Sequence, residues 1–459
     1  MSADLVDLVI VGAGPAGLSA AVEARSLGLQ VLLLDEQRSA GGQIYRGVDV
    51  ASARQLSVLG RDYAAGAALT DAFKHCGASH VAGAAVWNVS RDRTVNYLQQ
   101  GRNLSVRARH IILATGAMER PFPIAGWTLP GVMGAGAAQI LYKNASALPS
   151  EPVVLAGCGP LLYLLACQYL AAGVTLKAVV QTTQTRDYLR AARYAAGALK
   201  GCGDLLKGLR MTVQLRRHGV RVFSAAQALS IDGTERAEGL QFTQRGRVHR
   251  IASSLILLHQ GVVPNTQLSL SLNARHSWSD MQLCWLPDTD ADGQIDDIGI
   301  YIAGDSRGIV GAKASALQGR RTAIAVARRL FPGKADYLAA LDARLRGELR
   351  GMLHIRPFLD ALYRPALEHR VPPQDSVIVC RCEEVSAGQL RRFTELGCQG
   401  PNQTKAFGRC GMGPCQGRLC GLTVTEVIAH ARAVPPGAVG YYRVRPPIKP
   451  ITLGELSGP

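Results

Sequence analysis

Aromatic side chains are scarce in this chain, at 5% of 459 residues, and carboxylates are outnumbered, with 34 Asp and Glu against 51 Lys and Arg. The first shortage removes the aromatic platforms on which single-stranded nucleic acids stack. The second gives a formal charge of +17. Even so, the basic residues form no dense run: Arg186, Arg190 and Arg193 are followed only later by Arg216 and Arg217, then by Arg320, Arg321, Arg328 and Arg329. No nucleic-acid partner is expected, and the charge suits phosphate-bearing cofactors or an acidic partner protein. Membrane-spanning runs are missing too. The apolar stretch from Leu5 to Val22 is interrupted by Asp7, Pro15 and the glycines at 12, 14 and 17. No secretory leader is expected, because the chain enters Val9-Ile10-Val11-Gly12 almost at once. A cytoplasmic location is expected. There, eleven cysteines read as reduced thiols or metal ligands and not as a disulfide framework.

The length exceeds one ordinary core, so two or three domains are expected, and 47% apolar with 19% charged residues is globular composition. Fifty glycines without a period point to tight turns and close backbone approaches. Residues 5–36 read strand, glycine turn, helix, strand. In that context Gly12-Ala13-Gly14-Pro15-Ala16-Gly17 fits G-x-G-x-x-G. The first glycine permits the turn, the second lets the backbone approach a pyrophosphate, and the third allows helix–strand packing at a helix N-terminus that favours anions. Asp35 ends the second strand where a carboxylate can accept from ribose hydroxyls, with Glu36 as the alternative.

A second β-glycine-helix unit starts at Glu151 and is damaged. Gly157-Cys158-Gly159-Pro160-Leu161-Leu162 has Leu162 in place of the third glycine, and Gln181 stands where a ribose-binding acid is wanted. A 2′-phosphate cofactor would need a basic residue there, and Arg186 lies well beyond it. NAD(P)H is therefore not expected at this site, and a structural βαβ domain is.

Six of the eleven cysteines fall between Cys380 and Cys420. Cys380-Arg-Cys382 is followed 28 residues on by Cys410-Gly-Met-Gly-Pro-Cys415, two close pairs that suit a tetrahedral zinc site or a [2Fe–2S] cluster. Cys398 and Cys420 read as packing or spare thiols. The glycines around the second pair free backbone N–H groups to bond cluster sulfurs. Elsewhere Cys76, Cys158, Cys167, Cys202 and Cys284 are isolated, and so are His110, His249, His259 and His354, each read as structural.

Ile111–Gly116 (IILATG), Gly41-Gly42-Gln43 and Ile300–Asp305 (IYIAGD) resemble the segments that enclose FAD in two-dinucleotide-domain flavoproteins. The resemblance implies an α/β fold like that of glutathione and thioredoxin reductases. It implies FAD held by Gly12, Ala13, Gly14, Pro15, Ala16, Gly17, Asp35, Glu36, Gly42, Gln43, Val86, Ala114, Thr115, Gly116, Gly304 and Asp305. No C-x-x-C or C-x4-C pair of the disulfide reductases lies in residues 1–330.

The cysteine segment, VCRCEEVSAGQL through GRCGMGPCQGRLC, is similar to the small [2Fe–2S] domain related to bacterioferritin-associated ferredoxin, although the second pair here is C-x4-C and not C-x-x-C. That resemblance implies Cys380, Cys382, Cys410 and Cys415 as cluster ligands, the fourth least secure. The expected division is an FAD-binding domain at 1–120 and 261–332, a degenerate dinucleotide domain at 121–260, a helical linker at 333–374, a [2Fe–2S] domain at 375–432 and an extended tail at 433–459 that makes a subunit contact.

Together these features resemble the α subunit of bacterial heteromeric amine dehydrogenases, a group that includes opine oxidase, D-hydroxyproline dehydrogenase and hydrogen cyanide synthase, with heterotetrameric sarcosine oxidase as a larger cousin. GGQIYR at Gly41–Arg46 and CRCEEV at Cys380–Val385 are the most specific pieces. The resemblance implies substrate oxidation on a D-amino-acid-oxidase-like β subunit with its own FAD, a small [2Fe–2S] γ subunit, and an external quinone or respiratory acceptor that brings the complex to the inner face of the membrane. It leaves room for FMN at a subunit interface. The alternative reading is a free-standing NAD(P)H-dependent flavin and iron–sulfur reductase.

Overall fold

The computed structural model describes residues 5–457, the Cys202 side chain excepted. Runs of Val, Ile and Leu with both faces apolar make central parallel strands. Strand β1 (Val6–Val11) lies between β2 (Val31–Asp35) and the long strand Arg102–Leu113, parallel to both. Ser79–Ala82 extends the sheet beyond β2, and Ile300–Ile302 returns from far along the chain to pair in parallel beside Leu113. Helix α1 (Pro15–Ser26) crosses from β1 to β2 and packs against the helix Ala312–Leu330. The first domain is therefore assembled from both sides of an inserted one.

The insertion carries a second parallel sheet, ordered Arg221–Phe223, Leu176–Gln181, Val153–Cys158, Leu255–Gln260 and Val132–Gly134. Two crossing strands, Ala117–Glu119 and Val262–Pro264, pair antiparallel where the chain enters and leaves it. Helix Ala335–Leu353 packs on Ala312–Leu330 and is pinned by a buried ion pair, Arg321 Nε to Asp342 Oδ1 at 2.8 Å. The next helix, Arg356–Leu362, packs instead on the inserted domain, where Ala361 and Leu362 meet Ala191.

The cysteine-rich segment folds around Val379, Leu390, Val424, Val427, Ile428 and Tyr442. Its helix Ala387–Glu395 starts from a reciprocal cap, Ser386 with Gln389. The tail carries two short helices, Pro436–Val439 and Leu453–Leu456, where the proline-rich sequence predicts an extended segment. Between them Val444 and Ile448 are buried in one cluster with Val86, Val89 and Tyr97, and the Ile448 N–H donates to the Trp87 carbonyl at 3.0 Å. The tail thus lies against its own chain. Among the described residues no helix is long and apolar enough to cross a membrane.

Candidate cofactor sites

The first glycine loop has the shape its sequence implies. Gly12 takes φ +106°, and a Cβ on Gly17 would lie 1.9 Å from the Gly12 carbonyl oxygen, so α1 can sit on the loop only without a side chain there. Helix α1 has Pro15 in its first turn and no side-chain cap, which leaves its first N–H groups to an anion. Ala13, in the loop, and Ala16, in the first turn of α1, are buried. Gly14 faces the turn after β2, where the Gly41 N–H donates to the Ala13 carbonyl at 2.9 Å and seats Gly42 on the loop.

Asp35 and Glu36 divide their work in a way the sequence does not disclose. Asp35 is buried, and its carboxylate accepts from the Ala13 N–H at 2.5 Å and the Gln37 N–H at 2.7 Å, which braces the glycine loop. Glu36 is exposed and pairs with Lys449 of the tail. Gln43 is exposed in the GGQIYR turn, and its carbonyl, with that of Ile44, accepts from the buried Lys143 ammonium at 3.0 and 2.9 Å. Burial, then the nearby Arg46, pulls the Lys143 pKa down to about 7.

Val86 is buried in the strand Ala85–Val89. Ala114, Thr115 and Gly116 follow the long strand directly, and Asp305 follows Ile300–Ile302 beside them. One Asp305 oxygen accepts from the N–H groups of Val310 and Gly311 at 2.8 and 2.9 Å, which fixes the carboxylate at a strand end. At Gly304 packing also calls for glycine: a Cβ there would come within 2.7 Å of the Ala16 Cβ.

The second glycine loop is closed by the chain itself. Leu162 is fully buried in the core of its domain, and Gln181 is buried at its strand end. The Cys158 thiol, between the two glycines, reaches Gln260 Oε1 at 3.1 Å and the carbonyl of the linker residue Tyr363 at 3.4 Å. Burial pushes this thiol up to about 12, which leaves it unreactive. His259 is not isolated as its place in the sequence suggests. Its Nδ1 is 2.8 Å from Glu119 Oε1, and the Glu119 carboxylate also accepts from the Gly136 N–H at 2.9 Å.

The cysteines converge on one nest. The Sγ atoms of Cys380, Cys410 and Cys420 lie within 4.8 Å of one another, and all three residues are buried. Cys415 touches Cys420 and Cys382, and Cys382 is exposed at the rim. The nest therefore holds five thiols, and Cys420, expected to be spare, is central. The repeated spacing Cys410-x4-Cys415-x4-Cys420 is the sequence signal that could have found it. Cys398 stays outside, with its thiol directed to the Gly400 carbonyl.

Hydrogen bonds from the Cys410 and Cys420 thiols, then from the Gly411 and Glu383 N–H groups, drive the Cys380 pKa far down. Cys415 accepts in turn from the Leu419 and Gly417 N–H groups. An all-sulfur donor set with backbone N–H groups turned toward it fits a [2Fe–2S] cluster or a zinc ion.

The nest is joined to the first glycine site by one short segment. The Asn265 N–H donates to the Gly116 carbonyl at 2.9 Å, and the Thr115 hydroxyl donates to the Asn265 carbonyl at 3.0 Å. Two residues on, the Gln267 amide donates to the Gln416 carbonyl at 3.2 Å, beside Cys415.

Residues 6–328 match the pyridine nucleotide-disulphide oxidoreductase family, and residues 376–458 match the sarcosine oxidase A3 domain. An opine oxidase subunit of Rhizobium meliloti is 43% identical over 462 residues, covering 99% of this chain and 88% of that protein. The hydrogen cyanide synthase subunit HcnB of Pseudomonas protegens is 30% identical, covering 98% of this chain and 97% of that protein. L-proline dehydrogenase from P. horikoshii, at 18% identity, shares the fold over 98% of this chain and 79% of its own with a TM-score of 0.72. The chain belongs to the pyridine nucleotide-disulphide oxidoreductase family and, within it, to the group of oxidoreductase subunits that includes this opine oxidase component.

Proposed function

We propose that this chain is the electron-transfer α subunit of a heteromeric dehydrogenase that acts on a secondary amine, imino acid or opine, with substrate oxidation on a partner protein. The observation that carries this reading is the segment Asn265–Gln267, which hydrogen-bonds the Thr115–Gly116 loop at one end and the cysteine nest at the other. A chain that only stored a metal would have no use for that connection. When bound, FAD exchanges one or two electrons and a [2Fe–2S] cluster exchanges one, which lets such a protein split a hydride into single electrons.

In this reading the free N–H groups of α1 hold the FAD pyrophosphate, Asp35, with Glu36 as the alternative, meets the adenosine ribose, and Asp305 stands by the ribityl chain. Cys380, Cys382, Cys410 and Cys415 hold the cluster, and Cys420 is the fifth thiol of the nest, against Cys380, Cys410 and Cys415. The covered Cys158 loop, with Leu162 and Gln181, supports the absence of a nicotinamide cofactor at the second site. Both relatives are named as single subunits, one of opine oxidase and one of hydrogen cyanide synthase, which supports partners here too. We assign those partners as a D-amino-acid-oxidase-like FAD subunit and a small [2Fe–2S] subunit, with a quinone or respiratory carrier as the external acceptor and a place for FMN between subunits.

Flavin, iron and acid-labile sulfide analysis of the purified chain tests the cofactor assignment. One FAD with two irons and two sulfides per chain is the expected content. Zinc without iron would end the electron-transfer reading, and reduction of the lone chain by NADH would replace it with a free-standing reductase.

A further inference from the structure

Tyr442 lies in the tail, outside every cysteine motif, yet its side chain ends inside the nest. The residue is 2% exposed, and its hydroxyl donates to Cys410 Sγ at 3.3 Å. The ring occupies a slot that two glycines of the cysteine loop keep open. A Cβ on Gly411 or on Gly417 would come within 2.5 Å of its ring carbons. The Thr404 hydroxyl lies 3.3 Å from the phenol oxygen, and the Lys405 ammonium sits 5.2 Å from the ring centroid. The backbone on the far side is fixed as well. The Arg443 N–H donates to Asn402 Oδ1 at 2.9 Å, and the Arg443 carbonyl accepts from Lys405 Nζ at 3.2 Å. A phenol clamped in this way cannot swing out without rebuilding the loop.

The phenol stands between two thiols of the nest: its hydroxyl donates to Cys410 Sγ, and the Cys420 thiol lies 4.0 Å from the same oxygen. A hydrogen bond to a ligand sulfur stabilises the form of a cluster that carries the extra electron, because that form places more negative charge on sulfur. We propose that Tyr442 is a positioning residue that raises the reduction potential of the iron–sulfur centre through its hydrogen bond to Cys410, and so sets how readily the centre accepts an electron. This rests on the [2Fe–2S] reading above.

The same residue begins the segment that reaches the first glycine site. Seven residues on, Lys449 pairs with Glu36, and Ile448 is bonded to Trp87. The tail is therefore anchored to the first domain on the C-terminal side of the phenol.

The test is Tyr442→Phe in the full chain, which keeps the ring in its slot and removes only the donor. The expected result is unchanged iron and sulfide content, a midpoint potential below that of the parent in a dithionite titration, and a changed electron paramagnetic resonance signal of the reduced cluster. An unchanged potential with intact iron content would overturn the proposal. Loss of iron would also overturn it, since the phenol would then be a structural prop. Failure of the cofactor reading is distinct: the parent chain would itself lack iron or hold zinc.

Discussion

The Gln267 side chain donates its amide to the Gln416 carbonyl, 3.2 Å away, and thereby joins the loop that carries Gly116 to the loop that carries Cys415. Gln267 is buried and the bond itself half-buried, so water replaces it only in part. Gln267→Ala is expected to loosen the seat of the cysteine domain by ~1–2 kcal/mol, the usual range for a hydrogen bond lost with its partner left unsatisfied. The check is the urea midpoint for loss of visible cluster absorption, which should fall while iron content before denaturation stays the same.

Gly17 is under the strictest local constraint in the first site, because any Cβ there meets the Gly12 carbonyl. Gly17→Ala should cost ~2–4 kcal/mol of stability, as overpacking against backbone does, and should leave the purified chain without bound dinucleotide. Retention of full flavin content by this variant would show that the loop is not the pyrophosphate seat.

Lys143, on the inserted domain and bonded to the Gln43 and Ile44 carbonyls of the first, gives the contact between the two a pH dependence with a defined sign. Its folded pKa is about 7 against an ordinary 10.5, so between those values the unfolded chain binds more protons than the folded one. Stability should therefore rise as pH increases from 7 to 9, with an upper slope of ~1.4 kcal/mol per unit from this group. Lys143→Met should flatten the rise. A thermal melt series of both proteins across that range reads the difference.

The cysteine nest leaves Cys398 apart from the other five thiols of its segment. Cys410→Ser should abolish or sharply reduce metal content, whereas Cys398→Ser should leave it unchanged, because Cys398 points away toward Gly400. Metal analysis of the two variants side by side is sufficient.

Much of the architecture could be read from local pattern. The two glycine loops, their flanking apolar strands and the damage at Leu162 and Gln181 are contiguous in sequence, and each obeys backbone geometry that a short window records. Cys420 could also be read in part, through its spacing from Cys415. Long-range relationships could not. Nothing near Asp35 indicates that it braces the glycine loop while Glu36 meets Lys449, because that partner lies more than four hundred residues away. The pairing of His259 with Glu119, the cover of Tyr363 over Cys158, and the place of Tyr442 among the thiols arise from how domains dock, which no local periodicity encodes.

In the proposed function, electrons enter this chain from a partner that oxidises the substrate. Anaerobic absorption of the chain, alone and coexpressed with its genomic neighbours, tests it most directly when an amine, imino acid or opine is added. Bleaching of the flavin and iron–sulfur bands only when the partner is present is the predicted result. Bleaching of the lone chain by that substrate, or no bleaching in the full complex with any of these compounds, would contradict it.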